Sequence, residues 1–449
     1  MSIISQDLIK QAIAEGIITF EQYLQIPWDE HESMECLFSP DGRQAVKDGV
    51  ITLKQYLKIP SRERESMKYI FSPDGRQALD EGIITLEQYL KIPSRERESM
   101  KYIFSPDGRQ ALDEGIITLE QYLKIPSRER ESMICLFSPN GRQAVKDGVI
   151  TLKQYLKIPS RERESMICLF SPDGRQALDE GIITLKQYLK IPSRERESMI
   201  CLFSPNGRQA VKDGVITLKQ YLKIPSRERE SMICLFSPDG RQALDEGIIT
   251  LKQYLQIPSD DRWDIKYIFS PDGRQALDEG IITLERYLQI PCKERRSMKY
   301  LFSPDGRQAL DESIITLDRY LQLSLNDRWD IKYLFSPAGR QAVKDGIITL
   351  EQYLDIPWDQ RRSMICLFSR NGQQAVKDGV ITLEQYLDIR WVERDSMRFI
   401  FSPAGRQAMA ERIITFEQYL KIPSHERDSM YDLFSPDGRQ AMAEHIITF

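Results

Sequence analysis

The sequence repeats itself every 33 residues. The segment that begins at Ser72 reads Ser-Pro-Asp-Gly-Arg-Gln-Ala-Leu, and the same or a closely related segment begins at Ser105 and at every 33rd residue up to Ser435, without an insertion. A fixed period in this range indicates one supersecondary unit stacked on copies of itself, each burying the apolar face of its neighbour. Because the array fills the chain, the sequence leaves no separate domain for a catalytic site.

The repeats predict the organisation of the 449 residues. We expect a degenerate N-terminal capping repeat over 1–38, twelve tandem repeats over 39–434 and a partial terminal repeat over 435–449. The leading repeat lacks the Ser-Pro-Asp-Gly start, and its acidic character suits a solubilising cap. The chain ends at Phe449, where a second helix should begin. We expect either that the final repeat is frayed or, as the favoured alternative, that the sequence is truncated or has lost its reading frame.

One repeat, residues 72–104, contains the signals of three short helices. Ser72 is a hydroxyl N-cap followed by proline, and Gly82 is a suitable C-terminal residue for that helix. Thr85 opens a second helix with a capping-box pattern, and Ser94 is expected to cap a third that continues to the end of the repeat. Helices of about seven to ten residues are unstable alone in water. The sequence therefore predicts an all-α fold, a right-handed superhelical α-solenoid with three short helices per repeat.

Apolar residues recur at helical spacing within each repeat. In the second helix Leu86, Tyr89 and Leu90 fall on one face, which predicts that all three point to the core. The same argument makes Leu189 a core position. Six of the seven cysteines share a single repeat position that tyrosine fills elsewhere, which indicates packing rather than disulfides or metal ligands.

The composition matches that of ordinary globular proteins, with 41% hydrophobic and 29% charged residues. No apolar run approaches the ~20 residues of a membrane span, and the N-terminus lacks the features of a secretory signal. We therefore expect no membrane insertion and a cytoplasmic location, or the host-cell cytosol if the protein is a secreted effector.

The sequence contains no recognisable catalytic constellation. Its three histidines, His31, His425 and His445, lie far apart, and no Cys-x-x-Cys pair is present. Triad, metal-dependent or paired-acid catalysis therefore has no residues to rest on. We expect a protein that is not an enzyme and that needs no cofactor.

The start of the third helix is where the repeats differ most. Every tryptophan of the chain lies there, next to an arginine that recurs in all full repeats. Tryptophan and arginine are the residue types that most often anchor interfaces. The alternative is that the tryptophans pack on a neighbouring arginine, and that the arginines bridge to Asp80 or Glu81 of adjacent helices. The predicted partner-binding residues are Trp28, Trp263, Trp329, Trp358, Trp391, Arg262, Arg328, Arg361 and Arg394.

The repeats resemble two known kinds of repeat protein, and these resemblances concern the biological context of the chain. Gly-Arg-Gln-Ala-Leu resembles the Gly-Lys-Gln-Ala-Leu of the TAL effector repeats of plant pathogens, over five residues per repeat; those repeats have two longer helices and a variable base-reading pair, where this chain has a nearly fixed Ser-Pro-Asp. The pattern Ala-Leu-x-x-Gly-Ile-Ile-Thr-x-Glu-Gln is similar, over most of each repeat, to short-helix arrays of intracellular bacteria of the Legionella kind. That likeness implies a host-directed effector but carries no active residue.

Two functions remain open from the sequence. The first is a non-enzymatic scaffold that binds a protein partner over an extended solenoid surface. The second is a modular nucleic-acid reader that uses the more basic repeats. The net charge of −5 argues against the second, because nucleic-acid binding depends on clustered lysine and arginine.

Overall fold

The computed structural model describes residues 5–444, and over this range it contains helices and turns but no strand. The prediction for Ile446–Phe449 and for His445 lies outside the described residues. The chain divides into two compact bodies, Met1–Glu230 and Ser231–Phe449. Within each body the same helices recur every 33 residues, so the predicted all-α repeat solenoid is confirmed.

Each repeat opens with a helix of eight residues, and the leading repeat with one of nine. In the N-terminal body these first helices are Gln6–Ala14, Pro40–Lys47, Pro73–Asp80, Pro106–Asp113, Pro139–Lys146, Pro172–Asp179 and Pro205–Lys212. In the C-terminal body they are Pro238–Asp245, Pro271–Asp278, Pro304–Asp311, Pro337–Lys344, Arg370–Lys377, Pro403–Ala410 and Pro436–Ala443.

The second helices have five or six residues. They are Phe20–Leu24, Leu53–Leu57, Leu86–Lys91, Leu119–Leu123, Leu152–Leu156, Leu185–Leu189 and Leu218–Lys223 in the N-terminal body. In the C-terminal body they are Leu251–Gln256, Leu284–Gln289, Leu317–Gln322, Leu350–Asp355, Leu383–Asp388 and Phe416–Lys421.

The third helical segment is broken into short pieces. It opens with an α or 3-10 turn, at Trp28–Glu30, Ser61–Arg64, Ser94–Arg97, Ser127–Met133, Ser160–Arg163, Ser193–Arg196, Ser226–Met232, Ser259–Arg262, Cys292–Arg295, Leu325–Asp330, Trp358–Ser363, Trp391–Met397 and Arg427–Ser429. Further 3-10 turns follow at Glu32–Met34, Glu65–Met67, Glu164–Met166 and Glu197–Met199. The segment closes with a short α-helix, at Glu35–Phe38, Lys68–Phe71, Met100–Phe104, Ile134–Phe137, Ile167–Phe170, Ile200–Phe203, Ile233–Phe236, Lys266–Phe269, Met298–Phe302, Lys332–Phe335, Met364–Phe368, Arg398–Phe401 and Met430–Leu433.

The first helix begins and ends as the sequence predicts. The side chain of Ser72 accepts a hydrogen bond from the backbone N–H of Gly75, and Pro73 is the first helical residue. At Gly75 the helix start lies so close to the preceding segment that a Cβ would collide with the carbonyl oxygen of Tyr69. Gly82 has a φ of +67°, a conformation that costs glycine nothing. Only glycine satisfies both the close approach and the left-handed turn without strain.

The second helix carries the predicted capping box. Thr85 accepts from the N–H of Gln88, and the side chain of Gln88 accepts from the N–H of Thr85. The helix ends at Lys91, because Ile92 precedes a proline and is excluded from the α region.

The predicted cap of the third helix is wrong in detail. Ser94 is the first residue of its helix rather than the N-cap, and its side chain makes no capping bond. The break comes near Ser99, whose hydroxyl donates to the carbonyl of Glu96 at 2.6 Å. Such a local side-chain bond competes with the regular helix pattern, which explains why the segment turns tightly here.

The core of each repeat is built from the same few side chains. In repeat 72–104 Tyr89, Met100 and Phe104 have no exposed surface, and the rings of Tyr89 and Phe104 lie 6.2 Å apart. Leu86 and Leu90 are only half-buried, and so is Leu189. The helical spacing placed these leucines in the core, but a helix this short presents only one side chain per turn to its neighbours.

Between residues 5 and 444, two repeats replace the left-handed glycine with another residue. Ser313 and Arg412 both have a φ of +58°, where a Cβ collides with the following carbonyl. These residues store local strain that the glycines of the other repeats avoid.

We predict that Ser313→Gly stabilises its repeat by about 1 kcal/mol, because it removes the cost of a left-handed conformation. Amide hydrogen exchange of the first helix of that repeat, Pro304–Asp311, measures the gain. Ser313→Ala keeps the strain and is the matched control. Equal exchange rates in the glycine and alanine variants would contradict the argument.

Candidate functional site

The arginine that recurs at the start of the third segment is an interior residue. The side chain of Arg97 is 1% exposed. Its Nε donates to the carbonyl of Ile92 and one terminal nitrogen donates to that of Leu90, both at 2.9 Å. These carbonyls belong to the end of the second helix, so the guanidinium closes a helix terminus whose last carbonyls have no partner within the helix.

The same guanidinium reaches into the preceding repeat. It donates to the hydroxyl of Ser66 at 2.9 Å and pairs with the carboxylate of Glu63 at 3.1 Å. It also lies 5.5 Å from the ring centre of Tyr89, whose hydroxyl donates to the carbonyl of Ser66. One buried side chain therefore ties two repeats together through charge-assisted hydrogen bonds.

We call this residue the inner arginine. Its equivalents are Arg64, Arg97, Arg130, Arg163, Arg196 and Arg229 in the N-terminal body and Arg262, Arg295, Arg328, Arg361, Arg394 and Arg427 in the C-terminal body. All are at most 2% exposed.

This burial corrects the sequence prediction for the arginines. Arg262, Arg328, Arg361 and Arg394 are enclosed by their own chain and cannot serve as exposed anchors, so we exclude them from the candidate surface. Bridging between repeats is the role that the geometry supports. The expected partners at Asp80 and Glu81 were wrong, because the carboxylate comes from the third segment of the preceding repeat.

A second arginine pairs with Glu81 instead. Arg109, in the first helix, pairs with Glu81 at 3.1 Å and with Asp74 at 3.2 Å, both in the preceding repeat. It also donates to the carbonyl of Phe104. Sequence reasoning missed this contact, although the recurring Gly-Arg-Gln of the repeats was a signal that the arginine is structural.

The leading repeat substitutes histidine for the inner arginine. The Nε2 atom of His31 lies 3.0 Å from the carbonyl oxygen of Ile26, the counterpart of the bond from Arg97 to Ile92. Its ring stacks on Tyr23 at 4.6 Å. A shorter side chain is sufficient here, because it closes its own helix without spanning to another repeat.

The exposed side chains of the third segment form a row. In repeat 72–104 they are Arg95, Glu98 and Lys101, which are three residues apart. Side chains three residues apart eclipse one another in 3-10 geometry, which this segment partly adopts. We call these three positions and their equivalents the exposed row.

The character of the exposed row changes along the chain. In the leading repeat it is acidic, with Asp29, Glu32 and Glu35. In three central repeats it combines an arginine and a glutamate with one isoleucine, which is Ile134, Ile167 or Ile200. In repeat 270–302 it is basic, with Lys293, Arg296 and Lys299. The three isoleucines are 50–57% exposed, which is unusual for a large apolar side chain. The surface thus varies where the interior is constant.

All five tryptophans lie on this surface. Trp263 and Trp329 occupy the Glu98 position of the exposed row, and they are 40% and 41% exposed. Trp28, Trp358 and Trp391 occupy the adjoining Ser94 position and are 74%, 56% and 47% exposed. The prediction of where the tryptophans lie is therefore compatible with a binding surface, while their contact with a partner stays a prediction.

Trp329 also packs within its own body. The guanidinium of Arg296 lies 5.4 Å from its ring centre, and the ring of Tyr300 lies 6.5 Å away. Packing on a neighbouring arginine, the alternative from the sequence, thus holds for this tryptophan. The contact pre-orders the ring without covering it.

The leading part of the exposed row borders a groove. Asp29, Glu32, Glu35 and Glu65 line it together with Arg62 and Lys68, and its volume is about 720 Å³. Carboxylates outnumber cations in its lining, so the groove is negatively charged.

No family model, no curated protein and no solved structure matches the chain. Between residues 5 and 444 no group of three or more histidine, cysteine, aspartate or glutamate side chains is placed to hold a metal ion. Over the same residues no helix is both long and apolar enough to cross a membrane.

We predict that Arg196→Ala lowers the stability of its neighbourhood by about 3 kcal/mol or more, because it leaves the carbonyls of Ile191 and Leu189 and the carboxylate of Glu162 without their partner. Hydrogen exchange across repeats 138–203 measures the loss. Arg194→Ala, an exposed neighbour in the same segment, is the control and should change little. If exchange became faster to the same extent over the whole chain, the result would contradict a local stabilising role for this arginine.

Proposed function

We propose that the protein is a non-enzymatic tandem-repeat scaffold that binds a protein partner through the exposed row and its tryptophans. The repeated helices form a regular framework. The side chains that this framework leaves exposed are the ones that would bind the partner. The resemblance to repeat arrays of intracellular bacteria suggests that the partner is a host protein.

One observation carries the proposal. In the full repeats the inner arginine, the core tyrosine and the N-capping serine and threonine stay the same, whereas the exposed row changes from acidic, through mixed charge with an isoleucine, to basic. Some exposed positions elsewhere also vary, such as Glu87 against Lys153. The exposed row differs from them because its changes include large apolar residues, which cost solubility unless they meet a partner.

The chemistry of the row favours a protein over other partners. Exposed isoleucine and tryptophan bury apolar surface on binding, and charged neighbours around them supply a polar rim. Half-exposed aromatic rings such as Trp263 and Trp391 are the side chains that most often dominate binding energy.

A second candidate rests on the C-terminal body. Three consecutive repeats place five basic side chains around Trp263 and Trp329 on the exposed row: Lys266, Lys293, Arg296, Lys299 and Lys332. Basic residues interleaved with aromatic rings are typical of single-stranded nucleic-acid sites. Lysine ammonium groups of the chain already lie over aromatic rings here; for example, the Nζ atom of Lys299 lies 4.8 Å from the ring centre of Tyr300. Less ring surface is therefore left for stacking of bases.

We predict that the pair of substitutions Trp263→Ala and Trp391→Ala weakens binding of a captured partner by about 2 kcal/mol or more. The measurement is affinity capture from host-cell lysate, followed by titration calorimetry with the purified partner. Leu288→Ala, on the second helix and away from the exposed row, is the matched control.

Circular dichroism separates the possible results. Unchanged affinity together with a lower melting temperature would make the tryptophans packing residues and overturn the proposal. An electrophoretic shift with random DNA or RNA at physiological salt, steeply weakened by added salt, would favour the nucleic-acid reader instead.

A further inference from the structure

The second helices of three consecutive repeats form an unbroken basic strip. Each presents to solvent two lysines, one inside the helix and one at its C-terminal end, and no acidic residue. The six residues, which we call the lysine strip, are Lys153, Lys157, Lys186, Lys190, Lys219 and Lys223.

The lysine strip is not neutralised by its own chain. In the two repeats that precede it, Lys91 pairs with Glu87 at 2.9 Å and Lys124 with Glu120 at 2.7 Å. In the lysine strip a lysine replaces that glutamate, and within residues 5–444 none of the six forms an ion pair. Repeat 39–71 also has two lysines in its second helix, but the two paired repeats separate it from the strip.

An apolar groove lies between the lysines. Leu185 and Leu189 are half-buried and line it with Ile158 and Pro159 of the preceding repeat, in a volume of about 470 Å³. Three lysines of the strip border it. Its one acidic neighbour, Glu162, is held by the inner arginine at 3.1 Å.

The groove is a regular product of the stacking. An equivalent groove of about 470 Å³ lies beside Ile59 and Leu90, and one of about 310 Å³ beside Ile257 and Leu288. Apolar grooves therefore recur along the second helices, whereas uninterrupted positive charge is found over repeats 138–236.

We propose that the lysine strip and its grooves bind an acidic peptide segment in the polyproline II conformation, with an apolar side chain at every third residue. Neighbouring helices pack at about 8–10 Å. A polyproline II helix rises about 9 Å in three residues and returns to the same face. One apolar side chain then enters each groove, and acidic residues between them meet the lysines.

Other polyanions fit this surface less well. The tyrosines of these second helices, Tyr155, Tyr188 and Tyr221, have no exposed surface and offer no ring to a base. The leucines are recessed below the lysines rather than projecting, so they receive single side chains but do not enter a bilayer. The lysine strip shares no residue with the exposed row, so its role does not depend on the function proposed for that row.

The test uses the full-length protein and a fluorescein-labelled peptide of five Leu-Glu-Pro triplets, with binding followed by anisotropy. We expect saturable binding that weakens with added salt and strengthens as triplets are added. A peptide of the same composition with its leucines clustered at one end should bind at least tenfold more weakly. So should a peptide in which lysine replaces each glutamate.

Matched variants locate the site on the chain. Lys157→Glu with Lys190→Glu should lower the affinity for the triplet peptide at least tenfold. Lys91→Glu with Lys124→Glu makes the same change at the same position of two other repeats and should leave it unchanged. Leu189→Ser tests the groove and should weaken binding several-fold without altering the circular dichroism.

Several results would overturn the proposal. The proposal is wrong if the triplet peptide does not bind. It is also wrong if the peptide with clustered leucines binds as tightly as the triplet peptide, because charge alone would then explain the binding. Binding of a 15-nucleotide single strand or of phosphatidylserine vesicles more tightly than the peptide, and lost in the Lys157 and Lys190 variant, would assign the strip to that ligand. If sedimentation shows that the protein is a dimer and that the Lys157 and Lys190 variant is a monomer, the lysine strip binds a second copy of the chain instead.

Discussion

The inner arginine is the interaction on which the rest of the structure depends. A single guanidinium donates hydrogen bonds to two carbonyls at the end of its own second helix and to a hydroxyl of the preceding repeat. It also pairs with a carboxylate of the preceding repeat and lies against the ring of a buried tyrosine. No helix between residues 5 and 444 is long enough to be stable alone, so stability comes from contacts between helices and between repeats. Arg97 and its equivalents supply such a contact to the preceding repeat.

Burying a charge is costly, and this explains how completely the guanidinium is surrounded. A buried arginine without partners would destabilise the fold, whereas one with its donors engaged fixes the register of neighbouring repeats. The geometry also makes substitution hard, since lysine cannot supply the planar set of donors. In the leading repeat His31 is tolerated because it closes its own helix.

Because buried contacts hold the repeats together, the exposed side chains can differ from one repeat to the next. The exposed row and the second helices both present side chains outside the network of inner arginines, and both change in charge along the chain. The protein thus offers two candidate surfaces built on one repeated frame. One carries tryptophan and isoleucine, such as Trp391 and Ile167; the other carries the lysine strip above leucine-lined grooves.

The sequence alone determined the period, the fold class, the caps at Ser72 and Thr85 and the left-handed glycine at Gly82, because each of these depends on residues within a few positions of one another. It also located the tryptophans on a variable segment. Only the tertiary structure decided that the inner arginine is buried, that its carboxylate partner is Glu63 rather than Asp80 or Glu81, and that Leu90 and Leu189 line a groove. Those features depend on which residues of the preceding repeat lie within reach after stacking, and sequence spacing within one repeat does not contain that information.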